Sequence, residues 1–410
     1  HLAHPLAHAP PQAEVNDCPR ISFLQAHELT HAQLEAAAQN DYPRPETGRF
    51  KSFTQFCLEN AEWLEDFCLF MALKDTFYGQ PWTDWPEGLR LRQWNKVTEW
   101  QKDHTEQCDL YKYQQYVFYE QWDRLKRYAN SKQVRIFGDI PIFVAHDSAD
   151  VWANQNLFQL DADGQPISVA GVPPDYFSMT GQRWGNPLYS WDDHLAEDFH
   201  WWTRRFTHQL RQCDMVRIDH FRGFQACWSI PTNETTAENG HWEEVPGRKL
   251  LEKLQALNPK MPIIAEDLGI ITAEVEKLRD DFGLPGMKIL QFAFDSGPDN
   301  PYLPENHTTN SVVYTGTHDN DTTLGWWRSL SKELKDRIRD YLEKRRPEMP
   351  WDLIELAMAS QASLCISPCQ DVLSLDRSAR FYTPGRAAGN WQWQLSRDML
   401  TDDPVSYTHL

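Results

Sequence analysis

The chain has 410 residues, enough for one large domain or two ordinary ones. Its hydrophobic share of 41% can fill a sizeable core, and 24% charged residues is ordinary for a globular protein. A net charge of -19 argues against nucleic acid and against an anionic membrane surface, because both need clustered Lys and Arg.

Residues 1–50 are mixed and proline-rich in patches, which predicts irregular structure with short helices. The first residues carry no initiator Met and no signal-peptide core, as in a processed or partial chain. From Phe53 the apolar residues Phe53, Cys57, Ala61, Leu64, Cys68 and Met71 recur at helical spacing. That helix is expected to end near Gly79–Pro81, a pair of breakers. Residues 110–130 read as a second long helix, with Leu110, Tyr113, Val117 and Leu125 on one face.

After Ser131 the texture changes to short β-rich runs separated by helical stretches. The runs are 134–144, 214–221, 261–269, 286–294, 311–319 and 363–368, and 273–283 and 332–346 read as helices. Continuous apolar strands alternating with helices imply an α/β fold with a parallel sheet buried on both faces. Asp or Glu stands at the C-terminal end of at least four runs, and in a (β/α)8 barrel that rim carries the chemistry. A barrel needs eight strands, and only six are visible here. The expected division is a helical part over 1–130 and a catalytic barrel over 131–410. That barrel would hold strands three to eight, with an active-site loop over 169–191.

The eight cysteines are scattered, with no CxxC and no Cys/His cluster at zinc spacing. They read as free thiols in a reducing, cytoplasmic compartment. No apolar run is long enough to span a membrane. The 18 Trp are unusual. Their flat faces match the C–H faces of sugars, although most Trp in any protein serve the core.

Cleaving a glycosidic bond with retention needs a nucleophilic carboxylate and a carboxylic acid about 5–5.5 Å apart. Neighbouring strands lie about 4.8 Å apart, so carboxylates ending two successive strands fall near that separation. Asp219 ends the run VRIDH, and Glu266 ends IIAEDLG, the next run along. Arg217, two residues before Asp219 on the same side, can supply the positive charge that keeps a nucleophile ionised. Glu266 follows apolar residues and is expected to hold its proton near neutral pH. His318 and Asp319, ending YTGTHD, are expected to bind the sugar and stabilise an oxocarbenium-like transition state. Asp139, ending the first visible strand, would support the same site. Each pattern alone has a plainer reading, such as a surface ion pair or a turn hydrogen bond. Their joint placement at four strand ends is what those plainer readings do not predict.

At these residues the sequence resembles the 4-α-glucanotransferases of the amylomaltase or disproportionating-enzyme type, glycoside hydrolase family 77, relatives of the α-amylases. The matching segments are 138–154, 169–189, 216–224, 263–269, 282–295, 312–326 and GNWQW at 389–393. The helix at 59–75 and PWTDWP at 81–86 also fit, so the resemblance covers roughly 50–395. It implies that Asp219 is the nucleophile, Glu266 the general acid/base and Asp319 the stabilising carboxylate. Asp139, Arg217 and His318 would be supporting sugar-site residues. Asp175 and Trp184 fall in the segment resembling the loop over the catalytic centre, and Asn390 and Trp391 match a C-terminal sugar-site motif. The implied substrates are α-1,4-glucans, maltooligosaccharides and glucose, with no metal or other cofactor.

Val144 stands where amylases of the wider superfamily carry a His. Phe381 and Tyr382 stand where Met and Asn are expected. The family's front segment, with two barrel strands and a Gly-Asp-Ser-Pro-Tyr loop, has no counterpart here, so a chain lacking its first two strands is expected. Two other readings are a hydrolase of the amylase superfamily and an inactive, glucan-binding fragment. A cluster of calcium-ligating Asp and Asn would favour an amylase, and none stands out.

Overall fold

The computed structural model describes residues 48–399 apart from 175–177 and 387, together with 22, 23 and 33. Most of the first 50 residues, and Asp175, lie outside the described residues.

The helical pattern starting at Phe53 forms two helices, Gly48–Glu59 and Ala61–Thr76, in place of one. The break is at Asn60. Its amide donates to the Phe56 carbonyl at 2.8 Å, and its Oδ1 accepts from Trp63 Nε1 at 3.1 Å. An Asn side chain bonding locally competes with the helical ladder in this way. The second helix ends as expected: Tyr78 and Gly79 take positive φ, and Lys74 Nζ donates to the carbonyls of Gly79 and Gln80.

The next long helix runs Thr105–Ser131. Leu110, Tyr113 and Val117 pack with Phe53 and Tyr116, but Leu125 is exposed. Twelve residues at 3.6 per turn carry Leu125 about 120° round the helix from Tyr113, off the shared face.

Ten strands follow: β1 (Phe137–Pro141), β2 (Ser168–Val172), β3 (Gln182–Pro187), β4 (Met215–Asp219), β5 (Ala226–Pro231), β6 (His241–Glu244), β7 (Ile263–Ala265), β8 (Gly286–Ile289), β9 (Ser311–Tyr314) and β10 (Leu364–Ile366). All six expected runs hold a parallel strand. β1, β4 and β7 form one parallel sheet in that order, and β10, β9 and β8 form another. The remaining four form an antiparallel sheet, β3-β2-β5-β6, which the sequence reading missed. β3 reads Gln-Arg-Trp-Gly-Asn-Pro, and Gly and Pro ordinarily demote a strand.

The chain divides into two compact units, with the boundary between Leu284 and Pro285. In the first, Val216 and Ile218 of β4 and Ile263 and Ala265 of β7 share a core with three helices. These supply Leu64 and Leu73, Trp201, Trp202 and Phe206, and Leu250, Leu251 and Leu254. In the second, Leu290, Val313, Ile338, Leu353 and Ala357 pack together. Trp82, Trp152, Trp201 and Trp202 are fully buried, whereas Trp94, Trp184 and Trp391 are exposed. No described helix is long and apolar enough to cross a membrane.

The β2–β3 pairing admits no side chain at Gly171, where an added Cβ would stand 2.1 Å from the Gln182 carbonyl oxygen. Gly171→Ala is therefore expected to cost about 1–3 kcal/mol, as overpacking does. Thermal unfolding should show a midpoint lowered by several degrees, and an unchanged midpoint would contradict the close approach.

Candidate active site

β1 and β4 pair so that Asp139 lies opposite Arg217 and Pro141 opposite Asp219. β4 and β7 pair Ile218 with Ala265, and Glu266 N–H extends the ladder to the Ile218 carbonyl at 3.0 Å. Residues two apart on a strand share a face. Asp139, Arg217, Asp219 and Glu266 are thus gathered by register alone, while the alternate residues Val216, Ile218 and Ala265 enter the core.

Arg217 is buried and its guanidinium joins two strands. One nitrogen donates to both oxygens of Asp139 at 2.9 Å, and the other donates to Asp219 Oδ1 at 2.7 Å. Both partner carboxylates remain about half exposed. Burial by itself would make the guanidinium easier to deprotonate. Asp219, Asp139 and Glu266 outweigh it and raise the Arg217 pKa above its usual value.

Glu266 sits in a buried position, as its apolar run predicts. Burial raises its pKa to about 7, against the pull of Arg217, with Asp219 adding to the rise. Two backbone donors fix the carboxyl: Leu268 N–H to Oε1 at 2.9 Å, and His220 N–H to Oε2 at 2.7 Å. One carboxyl is thereby poised to carry a proton at neutral pH, beside another that is ion-paired on the adjacent strand. That is the division of labour acid/base catalysis requires.

His220 was not singled out from the sequence. The available signal was a His immediately after the Asp of an Arg-x-Asp strand end, and its backbone conformation has no sequence signature. It takes left-handed φ 54 and ψ 52. Its ring meets Trp184 edge-on at 4.9 Å. Trp184, on β3, also contacts Phe143 and is partly exposed. Asn186, on the same strand, donates to the carbonyl of Val144 at 2.8 Å.

The remaining expected residues lie in the second unit. Asp319 follows β9, and His318 Nε2 lies 3.4 Å from Asp319 Oδ2. Arg380 donates to the Asp319 carbonyl at 2.7 Å, and Thr317 Oγ1 accepts from its N–H. The exposed Trp391 lies 5.3 Å from the His318 ring and is stacked by Phe381 and Tyr382. Asn390 turns inward on its own loop, accepting from Thr383 N–H and donating to the Arg386 carbonyl. Among the described residues no group of three or more His, Cys, Asp or Glu is arranged to hold a metal.

Two carboxyls of opposite character at neighbouring strand ends are the arrangement that glycosidic-bond cleavage uses. Comparison with known proteins is more specific. The family model described as 4-alpha-glucanotransferase matches residues 6–401. A Thermus thermophilus protein named 4-alpha-glucanotransferase is 50% identical over 353 residues, covering 84% of this chain and 71% of that one. One from Synechocystis sp. is 45% identical over 388 residues, covering 94% of this chain and 77% of that one. Among solved structures, the amylomaltase from Streptococcus agalactiae in complex with acarbose superimposes with a TM-score of 0.90 at 35% identity. That match covers 95% of this chain and 78% of the other. The chain belongs to the 4-alpha-glucanotransferase family. Its fold is α/β of the TIM-barrel class with helical insertions, and its activity is that of an enzyme transferring glucan segments.

The raised pKa of Glu266 has a measurable consequence for stability. A carboxyl whose folded pKa exceeds its unfolded value near 4.5 contributes stability fully at low pH and loses it as pH rises through about 7. Above pH 8 the charged, buried form should cost about 3 kcal/mol, at 1.36 kcal/mol per pH unit. Glu266→Gln should therefore unfold at a higher temperature than the parent at pH 8.5, with the gap closing toward pH 5. An identical gap at both pH values would refute the shift.

Proposed function

We propose that Asp219 is the nucleophile and Glu266 the general acid/base of a retaining transfer. In the first step Asp219 attacks the anomeric carbon as Glu266 donates its proton to the departing glycosidic oxygen. In the second, Glu266, now a carboxylate, takes the proton of an incoming sugar hydroxyl, and that oxygen displaces Asp219. Arg217 holds Asp219 in line, and Asp139 accepts from the guanidinium's other terminal nitrogen. What carries this reading is the contrast between the two carboxyls: one buried with a pKa near 7, the other salt-bridged to Arg217.

Asp319 and His318 are assigned to the sugar at the cleavage point, where a further carboxylate stabilises positive charge developing at the ring. Trp391 and Trp184, both partly exposed, are assigned to sugar contacts. Asn390 is assigned to shaping the Trp391 loop, which its two backbone hydrogen bonds support. Asp175 is retained as a sugar contact on the resemblance of its segment alone. The loop over 169–191 would shield the glycosyl intermediate from water and so favour transfer over hydrolysis.

The donors are proposed to be α-1,4-glucans and maltooligosaccharides, and the acceptors maltooligosaccharides and glucose. The names of the relatives support this, as does the acarbose complex of the Streptococcus agalactiae enzyme. A cytoplasmic location is proposed from the free thiols found throughout the described chain.

Asp219→Asn and Glu266→Gln should each lower transfer by about 10²–10⁴-fold or more at unchanged folded yield. With maltotriose, the parent enzyme should release glucose and build a ladder of longer oligomers while reducing ends stay nearly constant. Near-normal transfer by either variant would remove the assignment. Reducing ends that rise in step with substrate loss would make the enzyme a hydrolase.

A further inference from the structure

Beyond the carboxyls, the least ordinary residue near the site is His220. A non-glycine residue at φ 54 is uncommon, and such backbone persists where its surroundings over-determine it. Here the surroundings are visible on every side. The carbonyl of His220 accepts from Gly223 N–H at 2.9 Å, and the next N–H, of Phe221, donates to the Glu266 carbonyl at 3.0 Å. Its own N–H goes to Glu266 Oε2. A right-handed backbone at this position would redirect the following chain and draw the Phe221 N–H away from the Glu266 carbonyl.

The side chain has a separate attachment. The ring packs edge-on against Trp184, and Gly223 leaves room beside it, since an added Cβ there would come 3.3 Å from His220 Cδ2. Nε2 is closed to solvent and makes no hydrogen bond. Burial lowers the pKa of the imidazole to about 4, with Asp219 opposing and Arg222 assisting. The ring is therefore a neutral, apolar contact at working pH. A neutral ring whose Nε2 has no polar partner among the described residues suits bracing an aromatic neighbour.

We propose that His220 is a positioning residue that couples two parts of the site, its left-handed turn letting its own N–H and that of Phe221 both hold Glu266 while its ring braces Trp184 on β3. The inference rests on the reading of Glu266 as the acid/base. It adds that loop and acid are seated by one residue. Displacement of Trp184 pushes on His220, and strain in His220 changes the hydrogen bonding of Glu266. The placement of Trp184 and the proton affinity of Glu266 are then linked through His220.

The two halves separate by mutation. His220→Gly and His220→Ala both delete the ring, but only glycine takes left-handed backbone freely, alanine being disfavoured there by its Cβ. Both variants should raise the ratio of hydrolysis to transfer with maltotriose about threefold to tenfold, as expected from losing one aromatic contact on the loop. The two should differ at the acid. In His220→Gly the alkaline limb of the kcat/KM profile should stay at the parent's pH. In His220→Ala the turn relaxes, the Phe221 N–H leaves the Glu266 carbonyl, and the loosened carboxyl loses a hydrogen bond to its charged form. Its pKa then rises, so the limb should move up by about one pH unit, with a lower kcat at pH 7 and little change in KM. His220→Asn, which accepts left-handed backbone, should keep the limb in place.

Parent-like ratios in both ring-deletion variants would overturn the brace. A limb that stays put in His220→Ala would overturn the backbone half. Glu266→Gln, run alongside, distinguishes these failures from an error in the underlying reading. If it keeps transfer activity, the acid/base assignment falls. If it is inactive while the His220 variants behave as the parent, only the coupling falls.

Discussion

The site is organised around one buried cation. A guanidinium removed from water is costly unless it is paired and fully hydrogen-bonded, and removing one partner of a buried pair is more costly still. Arg217 gains both of its carboxylate partners only when β1 and β4 are in their observed register, because one comes from each strand, and its buried Nε is still left without a partner among the described residues. A slip of one residue would turn every side chain of a strand to the opposite face and leave the charge unpaired. The ion pairs thus stabilise the alignment as much as the alignment creates the ion pairs. Asp219 inherits its placement from that arrangement.

Glu266 depends on the same sheet for the opposite property. Ile263, Ile264 and Ala265 bury the end of β7, and burial keeps the carboxyl protonated to about pH 7. Arg217 works against this, so the pKa reflects opposing effects, of which desolvation is the largest. Two carboxyls following a paired Ile218 and Ala265 therefore acquire different chemistry from their surroundings rather than from their own structure. The polarity of each strand end decides which becomes acid and which becomes nucleophile.

Much of this was legible in the residues. Six parallel strands were readable because each is a short apolar run ending in a carboxylate or a turn. Arg217, Asp219 and Glu266 were readable because period-two spacing and an apolar approach are local features of sequence. The breaks and exceptions were less visible. Asn60 interrupts a helix through side-chain bonds that periodicity does not report, and Leu125 drifts off its face because 3.6 does not divide the spacing. β3 hid behind its Gly and Pro, since its pairing is set by partners far along the chain. His220 was missed because left-handed backbone at a non-glycine is imposed by tertiary contacts. Asn390 was identified for its motif, yet its hydrogen bonds serve its own loop.

The antiparallel sheet has a further consequence for how such a chain changes over generations. β2 and β3 come from the connection between β1 and β4, whereas β5 and β6 come from the connection between β4 and β7. They are joined by the β2–β5 ladder, from Ser168 opposite Pro231 to Gly171 opposite Trp228. Two excursions from the parallel scaffold thus form a single hydrogen-bonded unit. An insertion tolerated in one must be answered in the other. A crossover between residues 187 and 226 would put the two sides of this ladder under separate inheritance and leave each to meet an edge it was not paired with.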